Sequence, residues 1–156
     1  MKQVFAQRGR IMVENVPAPL TEKGQVLVEV AYSLISPGTE LSVVNSSGQT
    51  LVKKVLEQPE RLKKVVEYLH RQGVKKTIAV VQEQKQGEAR PIGYSCSGYV
   101  VQVGEGVTDL RQGDRVACAG AGIANHAEIV LVPRNLVVKV PEGCDLRSAA
   151  STTLGA

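Results

Sequence analysis

The sequence predicts a mainly β domain interrupted by a helical insertion over residues 50–86. Three observations carry that expectation. Residues 25–35 and 99–103 are rich in β-branched residues and have the period-two character of half-buried strands. Between them the apolar period becomes helical, with Leu62, Val65, Val66 and Leu69 at i, i+3, i+4 and i+7. From Pro91 the strand pattern returns and holds nearly to the end. At 156 residues the chain is one domain's worth, long enough for a real core.

Taken in order, Val4 and Phe5 begin a first strand and Ile11 to Val16 a second, separated by a tight turn at Arg8-Gly9-Arg10. Pro17-Ala18-Pro19 links these to the long strand opening at Gln25, which Ser36-Pro37-Gly38 ends. In the insertion, residues 50–57 suit a short helix. Pro59 stands at the first turn of a stronger one, where its missing N–H costs nothing, and Gly73 ends it. A third helix is expected over 74–86. His70 lies off the apolar stripe and reads as a solvated helix residue. Strands are then expected at Tyr99 to Val103, Asp114 to Cys118, Ala127 to Val132 and Leu136 to Val140, with Pro133-Arg134-Asn135 and Pro141-Glu142-Gly143 as turns. From Leu146 a helix begins.

Composition excludes several classes. No apolar run approaches the roughly 20 residues of a membrane span, and Met1-Lys2-Gln3-Val4 lacks the apolar core of a signal peptide. The expectation is a cytoplasmic protein with no membrane partner. Cys96, Cys118 and Cys144 are far apart and odd in number, which argues against a disulfide framework or a structural zinc lobe. The net charge of +4 is concentrated: residues 49–86 hold nine Lys/Arg against four Glu. These lysines lack the interleaved aromatics of a stacking platform, so solvated helix faces explain them better than a nucleic-acid partner. A lid over a cleft, or a homodimer contact, is the other use such an insertion could serve.

Residues 93–107 are the most informative stretch. Gly93 and Gly98 flank a short polar segment, where a missing side chain lets other backbone or a ligand approach closely. Gly104-Glu105-Gly106 then turns the chain, and Asp114-Arg115-Val116-Ala117 opens a return strand. Read without further context, this is a glycine-punctuated hairpin.

The spacing of Gly93, Gly98, Gly104 and Val107 resembles the signature G-H-E-x2-G-x5-G-x2-V of the zinc-type alcohol dehydrogenases, the medium-chain dehydrogenase/reductase superfamily. Other landmarks of that superfamily's catalytic domain follow in order. They are Val30-Ala31-Tyr32 with Pro37-Gly38-Thr39-Glu40-Leu41, Gln112-Gly113-Asp114-Arg115-Val116, His126-Ala127-Glu128-Ile129 with Val132-Pro133, and Asp145 to Ala156 with Ala149-Ala150 and Thr153. The resemblance covers most of residues 1–40 and 91–156. It implies a GroES-like, partly open, mainly antiparallel β-barrel, acting as the substrate-side domain of an NAD- or NADP-dependent oxidoreductase. Its partners would be a small-molecule substrate and its own C-terminal Rossmann domain beyond Ala156, since no G-x-G-x-x-G fingerprint lies within these residues.

The departures from the family are equally informative. The family's first catalytic zinc ligand, a Cys, aligns with Pro37, and the second, a His, with Tyr94, whose phenol has an unperturbed pKa of about 10. A catalytic zinc needs roughly three protein ligands, so the resemblance implies a zinc-independent member with no metal site. It makes Thr39 the proton relay and substrate partner. Tyr94 becomes either the acid or substrate-orienting hydroxyl, or an aromatic plug in a vacated metal site. Ser36, Glu40, Ser95 and Cys96 would line the substrate cleft, with Glu40 fixing its loop and Cys96 better explained by packing. Thr153 would lie on the side of the cofactor. The narrower likeness of Ser36 to Leu41, the insertion and Gly93-Tyr94-Ser95 is to the bacteriochlorophyllide dehydrogenase-like and bi-domain oxidoreductase branch, implying a large ring or sugar-derived substrate. The competing expectation is a GroES-like scaffold or interaction domain without catalytic activity, because fold alone does not fix function.

Overall fold

The computed structural model describes residues 1–38, 40–42 and 89–152. The expected helical insertion over 50–86, Thr39 and Thr153 lie outside the described residues. The described elements include β1 (Lys2–Gln7), β2 (Arg10–Asn15), β3 (Gln25–Ser33), β4 (Arg90–Pro91), β5 (Ser95–Val103), β6 (Arg115–Ala119), β7 (Ile129–Pro133), β8 (Val137–Lys139) and the helix α1 (Leu146–Thr152). They form a three-stranded sheet in the order β2-β1-β4 and a five-stranded sheet in the order β7-β3-β5-β6-β8. All pairings are antiparallel. This is the mainly β, curled half-barrel of a GroES-like fold.

Arg8 and Gly9 both take left-handed φ, 50° and 76°, between the paired Gln7 and Arg10. Such a two-residue turn matches the twist of its flanking strands. In the larger sheet, alternation fixes the inner face. Val26 and Val28 of β3, Cys96 and Val100 of β5, Val116 and Cys118 of β6, and Val130 and Val132 of β7 form one core. Residues directly after β7 form a 3₁₀ turn (Arg134–Leu136), so β8 starts one residue later than its apolar pattern suggests.

Strand β5 departs most from the sequence expectation. It starts at Ser95 rather than Tyr99, and the polar run Ser95-Cys96-Ser97 is fully buried. The reason is α1, which lies on the outer face of β5. Ser95 Oγ donates to the Ala150 carbonyl and Ser97 Oγ to the Leu146 carbonyl, each at 2.5 Å. Two strand residues advance about 6.7 Å and four helix residues about 6 Å, so alternate serines meet carbonyls one turn apart. Asp145 caps the helix by accepting the Ser148 N–H at 3.1 Å, and that bond holds its carboxyl below the usual range.

The signature glycines serve backbone packing. A Cβ on Gly98 would stand 1.9 Å from the Glu29 carbonyl oxygen of β3, and one on Gly104 would stand 1.8 Å from that of Glu22. Next to Gly98 the β3–β5 register slips between Val30 and Tyr32, pressing the two backbones together.

Candidate functional site

The site is assembled where β3 ends beside the start of β5. Ser33 pairs with Cys96, and the Leu34 N–H donates to the Ser95 carbonyl at 3.0 Å. The chain then enters a helical turn that includes residues 37, 38 and 40–42. Glu40 closes this turn twice: its N–H donates to the Ser36 carbonyl at 3.0 Å, and its Oε1 accepts the Ser36 N–H at 3.1 Å. Side chain and backbone reciprocate as in a capping box.

The segment before β5 is held against residues 120–126. The His126 N–H donates to the Ile92 carbonyl at 2.9 Å, the Val4 N–H to the His126 carbonyl at 2.8 Å, and the Gly120 N–H to the Tyr94 carbonyl at 2.8 Å. Gly93 has a φ of 107°, and a Cβ there would stand 2.6 Å from the His126 nitrogen. No other residue fits that crossing without strain.

Two polar atoms in this region are buried without a hydrogen-bond partner, the Tyr94 hydroxyl and Asn125 Oδ1. A buried polar group left unpaired costs about 1–3 kcal/mol, and native proteins hold few of them. The Tyr94 hydroxyl therefore has free hydrogen-bonding capacity.

A third feature escaped the sequence reading. His126 is 8% exposed, and both of its ring nitrogens are engaged. Nε2 lies 3.0 Å from Glu40 Oε1 and Nδ1 lies 2.9 Å from Ser33 Oγ. A hydroxyl, an imidazole and a carboxylate thus form one chain, with Glu40 also 8% exposed and Ser33 half-buried. In the sequence His126 is merely the residue before Ala127-Glu128, and Glu40 is 86 positions away. Only the barrel's closure joins them.

The other expected residues are placed as follows. Ser36 is half-buried at the head of the turn, while Glu40 is buried and bound to both Ser36 and His126. Ser95 is fully buried with its hydroxyl on α1, and Cys96 lies in the core facing Cys118. The hydrogen bond with Cys96 and burial push the Cys118 thiol well above its ordinary range. Pro37 brings no donor. Among the described residues no group of three His, Cys, Asp or Glu gathers as a metal site would need. Among the described residues, His126 and Glu40 bind each other and amount to two of the roughly three protein ligands a catalytic zinc needs. Nor do the described residues include a glycine-rich turn from strand into helix that would cradle a pyrophosphate.

Residues 68–142 match the family described as the alcohol dehydrogenase GroES-like domain. Among solved structures, galactitol-1-phosphate dehydrogenase from Escherichia coli is 20% identical with a TM-score of 0.65, over 97% of this chain and 41% of that one. The quinone oxidoreductase from Coxiella burnetii is 20% identical with a TM-score of 0.63, over 97% and 40%. The Escherichia coli quinone oxidoreductase, solved with NADPH, is 13% identical with a TM-score of 0.63, over 97% and 37%. At these identities the likeness is one of fold. A 60-residue stretch is also 42% identical to reducing polyketide synthase PKS1 of Cochliobolus heterostrophus, covering 38% of this chain and 2% of that protein. The match over residues 68–142 and the barrel just described give this chain the fold of an alcohol dehydrogenase GroES-like domain. The chain spans about 40% of the length of the solved structures it matches.

Proposed function

We propose that this barrel is the substrate-side domain of a zinc-independent, NAD- or NADP-dependent oxidoreductase acting on an alcohol or carbonyl compound. The observation that carries the reading is the Tyr94 hydroxyl, buried and unpartnered where zinc-type relatives place a metal ligand. A substrate oxygen arriving there would gain a donor already stripped of water, whose interaction is stronger than one made in solvent. The phenol would hold a carbonyl oxygen during reduction, or accept a hydrogen bond from an alcohol during oxidation. Thr39 would be its partner, with the loop 36–42 as the wall, and Ser95 and Cys96 would support that wall from within. The nicotinamide, when bound, would supply the hydride; its site would belong to a Rossmann domain carried elsewhere in the full-length protein, with Thr153 towards it.

The domain boundary, the helical insertion as a lid or homodimer contact, and a cytoplasmic location belong to the same reading. Among the described residues no helix is long and apolar enough to cross a membrane. The test is calorimetry on the full-length protein with NADH and NADPH, followed by a spectrophotometric screen of aldehydes, ketones and sugar derivatives. Tight binding of either dinucleotide with substrate-dependent oxidation is expected. No binding of either would overturn the proposal and favour a non-catalytic scaffold.

A further inference from the structure

We propose that Ser33, His126 and Glu40 form a proton relay at the end of the barrel that carries Tyr94, with the His126 imidazole as the group that takes up and returns the proton. The inference rests on the oxidoreductase reading only for the identity of the reaction it would serve.

The hydrogen-bond directions follow from the donor inventory. Glu40 Oε1 receives the Ser36 backbone N–H and also faces His126 Nε2, so the carboxylate acts as acceptor and Nε2 carries a hydrogen. Nδ1 of the neutral ring is then a lone pair, and the Ser33 hydroxyl donates to it across 2.9 Å. The ring is thus set to accept a second proton from the Ser33 side, while Glu40 would stabilise the imidazolium formed. This is the orienting logic by which a carboxylate holds a histidine in one tautomer.

Burial argues for use. His126 and Glu40 are each 8% exposed, beside a core cluster built from Val, Leu, Ala and Cys. A carboxylate in such a place costs more in desolvation than apolar packing would, so its contact with the ring is weakly explained by stability alone. Ser33 is the half-buried member, and it stands beside Cys96 with Leu34 bonded to Ser95, next to Tyr94. The relay therefore has one accessible end and one buried counter-ion.

Among the described residues, Glu40 is the ionisable group hydrogen-bonded to the imidazole. Lys2 on β1 and Glu128, two residues past His126, are exposed and tied through the Lys2 N–H to the Glu128 carboxylate. The step moves a proton only. As the substrate O–H breaks, Ser33 Oγ gains that proton and passes its own to Nδ1, and the charge formed on the ring faces Glu40. Carbonyl reduction runs the same transfers backwards.

The test is ¹⁵N-histidine NMR of the whole chain, in which His70 and His126 are the two histidines and H126N identifies the signal. In the wild type the ¹⁵N shifts should place the hydrogen on Nε2 and the lone pair on Nδ1, as the bonds to Glu40 and Ser33 require. Glu40→Gln should disturb that tautomer, because the acceptor that holds the Nε2 hydrogen is removed, and Glu40→Asp should restore it. Should E40Q fail to fold, Ser33→Ala replaces it and should move the Nδ1 shift alone. A hydrogen found on Nδ1 in the wild type, or ring shifts indifferent to both Glu40→Gln and Ser33→Ala, overturns the relay.

Turnover separates the two proposals. A full-length enzyme whose kcat is unchanged by His126→Gln overturns the relay and leaves the oxidoreductase reading standing. Ring shifts as expected in a full-length protein that binds no dinucleotide overturn the oxidoreductase reading and support the hydrogen-bonded chain.

Discussion

Replacing Gly98 by Ala tests why the signature glycines stand where they do. The new Cβ would lie 1.9 Å from the Glu29 carbonyl oxygen and 2.9 Å from its carbon, whereas a tolerated contact needs at least 3.0 Å. Glu29 cannot retreat, since β3 is hydrogen-bonded to β5 on one side and β7 on the other. Strands sit about 4.8 Å apart, so such a displacement breaks the local ladder. Overpacking alone costs about 1–3 kcal/mol, and each lost ladder bond adds about 0.5–1.5 kcal/mol. The expected loss is about 3–5 kcal/mol, much of the ~5–15 kcal/mol that holds a domain folded. Urea unfolding measures it against two controls. Gly106→Ala meets open space but has a φ of 87°, and should cost about 1–2 kcal/mol in strain. Gly38→Ala meets nothing within 4 Å and sits in the helical turn, so it should be neutral or stabilise by up to about 1 kcal/mol. A Gly98→Ala protein unfolding at the wild-type urea concentration, or losing less stability than Gly106→Ala, would refute the reasoning.

Further outcomes follow from the same geometry. Tyr94→Phe removes a hydroxyl that has no partner, so thermal unfolding should show unchanged stability or a gain of up to about 1 kcal/mol. Ser97→Ala should cost about 1 kcal/mol by taking the donor from the buried Leu146 carbonyl, read as faster exchange of the α1 amides. The carboxyls of Asp109, Asp114 and Asp145 are lowered from 3.8 by hydrogen bonds from Arg134, Lys139 and the Ser148 backbone respectively. Each contributes stability above pH 3.8 that is lost as pH falls through its lower folded value, so urea midpoints should drop only below about pH 4, and less so in high salt. With a thiol reagent at mildly alkaline pH, exposed Cys144 should react first while buried Cys96 and Cys118 wait for unfolding.

Much of the fold was legible because alternation is a local signal. The turn at Arg8-Gly9, the strand from Gln25, the order of later strands and the helix from Leu146 all follow from period and punctuation. The start of β5 was not legible, because Ser95 and Ser97 look like solvated loop residues until α1 supplies the carbonyls they bind. Gly93 and Gly98 mark a place of close approach in the sequence, whereas Gly104 reads there only as a turn. What approaches at Gly93, Gly98 and Gly104 is backbone from Asn125 and His126, Glu29 and Glu22. For the candidate site, Tyr94 and Glu40 could be picked out by position in a pattern. His126 could not, since its role depends on a carboxylate and a hydroxyl brought to it from β3 and the turn after it.

The most direct measurement is hydride transfer by the full-length protein, wild type against Tyr94→Phe, with and without a metal chelator. The account expects consumption of NADH or NADPH with a carbonyl substrate that ignores the chelator and falls about 100-fold or more in Tyr94→Phe, the scale of a lost general acid. Activity abolished by the chelator and restored by Zn²⁺, or a Tyr94→Phe enzyme as fast as the wild type, would contradict it.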